Sequence, residues 1–215
     1  MIAPEVVVVD YGMGNLLSVR RGLEHCGANV KVTSDPDSIL SASRVVLPGV
    51  GAFADGMSEL YDRGLNKVIR EVAYQKIPLL GICLGMQMLL DESEEFAKTP
   101  GLGLIPGKVI PVPVETIGGH AHKIPHIGWN ALTFPKGRDN WDETILQDVE
   151  PNEFVYFIHS FMASPINPEH CVAHCLYGGG AVVATIMKGN IFGCQFHPEK
   201  SGKVGLKVLS RFLKL

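Results

Sequence analysis

Four consecutive valines, Val6 to Val9, lie between Glu5 and Asp10. An unbroken β-branched run of this kind predicts a strand buried on both faces of a parallel sheet. The runs Arg44-Val-Val-Leu-Pro48 and residues 77–83 have the same character, and residues 30–33 form a shorter one. Between these runs the apolar positions take a helical period. Asn15 can cap a helix reaching about Cys26, where Gly27 offers a left-handed stop. A helical stretch covers residues 56–75, weakened at Gly64, and residues 84–91 read as another helix. Strands alternating with helices predict right-handed crossovers and a mainly parallel sheet.

From about residue 104 the rhythm changes. Proline, glycine and alternating positions dominate residues 107–132, as in an antiparallel β region. Residues 154–159, 171–176, 182–187 and 191–196 read as further strands. Residues 201–214 form a closing amphipathic helix, with Val204, Leu206, Val208, Leu209, Phe212 and Leu213 as apolar positions. No linker, internal repeat or charge block interrupts the chain. The expectation is an α/β fold in a single domain over residues 1–215. It is a doubly wound mixed sheet, with central parallel strands flanked by helices and an antiparallel extension.

Composition narrows the function classes. The 215 residues are 46% hydrophobic and 19% charged, which fits a globular chain and excludes a disordered or low-complexity one. Nineteen Lys and Arg against 22 Asp and Glu leave a net charge of −3, so no basic field gathers nucleic acid or acidic membrane. Aromatic residues, at 7%, are not interleaved with basic ones as a base-stacking platform needs. The longest apolar runs fall short of the roughly 20 residues of a spanning helix. Met1-Ile-Ala-Pro-Glu5 has neither the basic start nor the apolar core of a secretory leader. The five cysteines (26, 83, 171, 175 and 194) are an odd number, read as free thiols in a reducing, cytoplasmic setting.

The strongest local signal is Gly81-Ile-Cys83-Leu-Gly85. An apolar strand runs into it and a helix leaves it, the pattern of a nucleophile elbow with cysteine in the serine position. A turn that tight leaves no room for side chains two residues either side of the nucleophile. The following helix would offer its positive end to a thiolate, and the Leu84 amide could bind an oxyanion. A nucleophilic cysteine needs a base, and the base an orienting group. Gln195-Phe-His197-Pro-Glu199 supplies both, because residues two apart on an extended chain share a side and proline keeps His197 extended. Leu47-Pro-Gly49-Val-Gly51 leaves the neighbouring strand, and its glycines let backbone amides approach a substrate.

Other signals are weaker. Tyr11-Gly-Met-Gly14 suggests a dinucleotide fingerprint, but the third glycine position holds Leu17, and Asp35 is loosely placed as a ribose ligand. His170-Cys171 and His174-Cys175 look metal-like, yet in a strand the two sulfurs would lie about 13 Å apart, at roughly 3.3 Å per residue. His120 and His122 make at most a two-ligand site. No metal or cofactor is expected.

Gly81–Gly85, His197-Pro-Glu199 and Pro48-Gly-Val-Gly51 together resemble the class I, triad glutamine amidotransferases, a flavodoxin-like α/β family. Asp10-Tyr-Gly-Met-Gly-Asn-Leu16, Lys123-Ile-Pro-His-Ile-Gly-Trp-Asn130, Tyr156-Phe-Ile-His-Ser160 and His197-Pro-Glu-Lys-Ser201 resemble, more closely, the glutaminase subunits of imidazole glycerol phosphate synthases. The resemblance covers nearly the whole chain. It implies Cys83 as nucleophile, His197 as base and Glu199 as orienter. It also implies that Gln87, Glu95 and the backbones of Gly49, Val50, Gly51, Ser160 and Phe161 hold glutamine. The implied partner is a cyclase subunit with a (β/α)8 barrel, forming a heterodimer, with Asn15, Trp129 and Lys200 toward it. The Pro48–Gly51 strand is then expected to gate the Val50 amide. Residues 116–122 match no motif.

Overall fold

The structure is a computed structural model and describes residues 3–215. The first strand, β1 (Glu5–Val9), pairs in parallel with β2 (Asn29–Thr33) on one side and β3 (Arg44–Gly49) on the other. Beyond β3 lie β4 (Leu79–Cys83) and β13 (Ile191–Cys194), also parallel. Strand β12 (Gly180–Lys188) runs antiparallel to β13, and β11 (Cys171–Tyr177) antiparallel to β12. The main sheet is therefore ordered β11-β12-β13-β4-β3-β1-β2, a mostly parallel sheet with an antiparallel extension.

The valine run explains the layering. Side chains on a strand alternate between faces. Val6 and Val8 join Leu80 and Ile82 in one core, beneath helices α1 (Leu16–His25) and α6 (Gly202–Phe212) through Leu23, Val208, Leu209 and Phe212. Val7 and Val9 join Leu47 and Leu79 in the opposite core, covered by α3 (Phe53–Asp62) and α4 (Leu65–Tyr74) through Phe53, Leu60, Ile69 and Val72. Each such side chain contributes roughly 1.5–3 kcal/mol by leaving water.

The structure departs from the pattern in local ways. The helical stretch at residues 56–75 is two helices, because Gly64 turns left-handed at φ 68°. A short helix α2 (Pro36–Leu40) was not foreseen; Asp35 caps it by accepting from the Ser38 amide at 3.0 Å. That contact gives Asp35 a structural job in place of a ribose. The helix at residue 84 is only α5 (Leu84–Met88), and β5 (Leu90–Ser93) follows it. The strand at 191–196 stops at Cys194.

Strand β5 belongs to a second sheet, ordered β10-β7-β5-β6, with β6 (Thr99–Pro100), β7 (Ile105–Pro111) and β10 (Phe161–Pro165). A two-stranded ribbon of β8 (His126–Ala131) and β9 (Phe154–His159) stands apart from both sheets. The antiparallel content expected after residue 104 is thus shared among three sheets. Residues 116–122 form a turn closed by a bridge between Glu115 and Ala121. His122 there packs at a tilt against Tyr177, with centroids 4.5 Å apart. Among the described residues no helix is long and apolar enough to cross a membrane. Among them, too, no three His, Cys, Asp or Glu side chains are grouped to hold a metal ion.

Candidate active site

Cys83 ends β4 in a left-handed conformation, φ 55° and ψ −110°. A non-glycine residue held there costs on the order of 1–3 kcal/mol, which the surrounding packing must offset. The flanking glycines are what make the turn possible. A Cβ on Gly81 would lie 2.7 Å from the Gly85 backbone, and one on Gly85 would overlap the Leu47 carbonyl. Helix α5 spans five residues, so the dipole expected to polarise the sulfur is that of little more than one turn.

His197 leaves β13 with extended backbone, φ −98° and ψ 97°. Its amide donates to the Tyr156 carbonyl at 3.0 Å, and its carbonyl accepts from the Ser201 hydroxyl at 2.7 Å. Residues Pro198–Lys200 curl into a 3-10 turn. Glu199 therefore reaches His197 by folding back, and not along an extended chain as the spacing suggested. Its Oε1 sits 2.8 Å from His197 Nδ1, with both side chains almost wholly buried. Burial drives the imidazole toward neutrality, but the adjacent Cys83 sulfur and the Glu199 carboxylate outweigh it and raise the ring to about 9. The sulfur is near enough to act on the ring's charge, yet His197 Nε2 makes no hydrogen bond of ordinary geometry. That nitrogen is buried and unpaired beside the Cys83 sulfur.

Cys83 and His197 line one cleft of about 370 Å³. Val50, Gly51, Leu84, Gln87, Glu95, Ser160 and Phe161 line it as well. Lys200, expected toward a partner, lines the same cleft. Gly49 sits behind the wall, in register with Cys83, where a Cβ would lie 2.5 Å from the Tyr11 hydroxyl. Glu95 Oε2 accepts from the Phe53 amide at 2.6 Å, which fixes that carboxylate at the start of α3. Asn15 lies away from the cleft lining and caps α1, its side chain accepting from the Ser18 amide at 3.4 Å. Trp129 is 54% exposed on the outer face of the ribbon.

Several residues at the site escaped the sequence reading. Tyr11 is fully buried and donates to the Pro48 carbonyl at 2.8 Å, tethering the glycine-rich strand. Burial and nearby Cys83 push its phenol above the ordinary value, so it stays a donor. Gln195, also fully buried, directs Nε2 to the Cys83 sulfur at 3.6 Å. His126 and His159 meet across the ribbon at 3.0 Å. Burial first, and neighbouring imidazoles after it, lower both rings to about 4. Tyr11, Gln195, His126 and His159 all stand inside motifs quoted above, and only their non-local contacts mark them out.

Comparison with known proteins agrees with this architecture. Residues 7–215 match the family described as glutamine amidotransferase class-I. Imidazole glycerol phosphate synthase subunit HisH 1 of Legionella pneumophila (strain Lens) is 50% identical over 210 residues, 98% of this chain and 99% of that protein. Subunit HisH of Geobacillus sp. (strain WCH70) is 43% identical over 208 residues, 97% of this chain and 95% of that one. The HisH subunit of Methanosarcina barkeri is 43% identical over 211 residues, 98% of each chain. In fold, the chain is similar to PurLQS from Thermotoga maritima, with TM-score 0.73 and 20% identity over 99% of both chains. A second solved structure, described as a glutamine amidotransferase, gives TM-score 0.71 and 16% identity over 97% of this chain and 99% of that one. With a family match over almost its full length and relatives at half identity, the chain belongs to the class I glutamine amidotransferases.

Proposed function

We propose that this chain is the glutaminase subunit of an imidazole glycerol phosphate synthase, acting in the cytoplasm as one amidotransferase domain over residues 1–215. The observation that supports it is the meeting, in one cleft, of a strained cysteine and a buried histidine–carboxylate pair drawn from residues more than a hundred positions apart.

The chemistry follows from the groups present. The Cys83 thiolate attacks the side-chain amide carbon of glutamine. Backbone amides of Leu84 and the Gly49–Gly51 strand take the charge on oxygen, at about 3 kcal/mol per donor. His197 gives its proton to the departing nitrogen, the C–N bond breaks, and ammonia leaves a γ-glutamyl thioester. Water then loses a proton to His197 and adds to the thioester, the C–S bond breaks, and glutamate is released. Glu199 holds the imidazole in the orientation both steps need. Glu95, with Oε2 on the Phe53 amide, keeps Oε1 for the substrate α-amino group. Gln87 and the Ser160–Phe161 backbone complete the cradle. Neither half-reaction consumes a cofactor.

Free ammonia in water becomes ammonium and loses its nucleophilic pair, so the product has to pass directly to an acceptor. The ribbon supports a partner on this side: Ile127, Trp129, Phe154 and Ile158 are 41–55% exposed along its outer face. We assign that partner as a (β/α)8-barrel cyclase subunit. It uses the ammonia to cleave a phosphoribosyl-formimino intermediate into imidazole glycerol phosphate and aminoimidazole carboxamide ribotide. Asn15, Trp129 and Lys200 lie toward it, and its binding favours the productive Val50 amide. The test is glutamate release with and without the cyclase and its ligand. Native protein should turn over slowly alone and rapidly in the liganded complex. Equal rates in Cys83→Ala and native complexes would sink the reading.

A further inference from the structure

Hydrogen bonds in and behind the cleft wall can be followed in one direction. His159 Nδ1 lies 2.8 Å from the Phe161 carbonyl. A carbonyl only accepts, so His159 carries its proton on Nδ1 and offers Nε2 as an acceptor. His126 Nδ1 must then be the donor across the 3.0 Å contact between the rings. Asn130 completes that end, donating to the Leu176 carbonyl at 2.7 Å with its Nδ2 3.5 Å from His126 Nε2.

The Phe161 carbonyl takes a second donor, Gln87 Nε2, at 3.0 Å. This fixes which end of the Gln87 amide is nitrogen. The same nitrogen donates to Gln195 Oε1 at 3.0 Å. With its oxygen so engaged, Gln195 is left with Nε2 facing Cys83 Sγ at 3.6 Å. Nothing in this arrangement is solvent: Gln195 is fully buried, and His126 and His159 nearly so. A buried amide without partners is costly, so each link constrains the next.

We propose that Gln195 is a catalytic residue, whose carboxamide N–H donates to the Cys83 sulfur, held in that orientation by Gln87, the Phe161 carbonyl and the His159–His126 pair. The proposal rests on Cys83 being the nucleophile. A donor at the sulfur favours the anion before attack. It serves again when the C–S bond of the thioester breaks and the electron pair returns to sulfur. The short α5 makes such a donor useful, since a single turn of helix offers little field of its own.

The test is alkylation of Cys83 by iodoacetamide at pH 7 and pH 10, followed on the Cys83 peptide by mass spectrometry. Gln195→Met keeps length and apolar fill but removes the donor. Its rate should fall about tenfold at pH 7, the low end for a hydrogen bond to a charged group, and return to within about twofold of native at pH 10. An unchanged rate at pH 7 overturns the proposal. So does a deficit equally deep at pH 10, which would mean lost access and not a lost donor. Gln195→Leu also removes the donor in a smaller apolar side chain and should show the same deficit at pH 7; it serves if the methionine variant melts. His126→Phe retains the stack on Phe157 and Tyr177, whose centroids lie 4.9 and 4.0 Å from the imidazole. A loss of about threefold at pH 7 is expected for it, on the scale of a neutral hydrogen bond, and no loss overturns the orienting chain. If native Cys83 reacts at pH 7 no faster than Cys26, the nucleophile reading falls and takes this one with it. A fast native Cys83 unchanged in Gln195→Met defeats the donor alone.

Discussion

His197 and the His126–His159 pair are all buried at the same site, yet they are driven in opposite directions. His197 is raised to about 9, and the ribbon pair is lowered to about 4. Burial pushes all three rings toward neutrality. What separates them is the company each keeps. A carboxylate and a sulfur face His197, whereas carbonyls, an amide and other imidazoles face the pair. One group of the site is organised to carry charge and the other to stay neutral with fixed tautomers. Burial depth cannot distinguish these roles; the sign of the neighbouring charge does.

The strongest blow to this contrast is Cys83→Ala. It removes the sulfur that helps to hold His197 charged and should cut glutamine hydrolysis in the partner complex at least ~10³-fold, as loss of a nucleophile does. The acid stability limb of the ribbon should survive intact in the same protein. Next in size is Gly85→Ala, which drives a methyl into the Leu47 carbonyl and should cost about 3 kcal/mol in urea unfolding. Its counterpart in the ribbon, Gly128→Ala, meets no atom within 4 Å and is strained only by φ +136°, so about 1 kcal/mol is expected.

Stability against pH sharpens the comparison further. For the depressed pair, the unfolded chain binds protons that the folded one refuses between about 6.5 and about 4. Stability is therefore lost as pH falls through that window, by roughly 2–3 kcal/mol per ring at most. For His197 the sign reverses: its contribution is complete below about 6.5 and disappears as pH rises through about 9. Denaturation midpoints measured from pH 4 to 10 should show both limbs, and Glu199→Gln should flatten the alkaline one alone. The smallest effect on the fold belongs to Trp129→Ala. Half-exposed, it should shift stability by under ~1 kcal/mol while weakening partner binding by about 2 kcal/mol, read by titration calorimetry.

What was legible in the sequence is what short-range sterics dictate. Gly81 and Gly85 announce the elbow because backbone excludes any side chain at both places, that of Gly85 and Met86 in the same turn for Gly81 and that of Leu47 on the adjoining strand for Gly85. His197 and Glu199 are two residues apart, so their meeting needs almost no fold, even though the turn that joins them is not the extended one expected. The valine run fixes β1 because its faces are both covered. Gln195 was hidden for the opposite reason. It stands two residues before His197, but its meaning lies in Gln87, 108 positions away, and in Cys83, 112 away. The ribbon histidines are hidden likewise, since only pairing of β8 with β9 in register sets His126 opposite His159. Helix α2 and strand β5 were missed because Pro36–Leu40 and Leu90–Ser93 are short and hold too few apolar positions to mark a face, unlike the apolar runs of β1 and β4.

The tether from Tyr11 to the Pro48 carbonyl has a mechanical consequence. Turning that carbonyl over would strand a phenol in the interior without a partner, and the space around Gly49 is already filled by the same hydroxyl and by Leu84. Any swivel of the chain is thereby confined to the peptide groups after Gly49, ending at Gly51 with its φ of +108°. The molecule has in effect a clamped rail and a hinge only a couple of bonds long, so a push from a docked partner would be delivered to one amide and not dissipated along the strand.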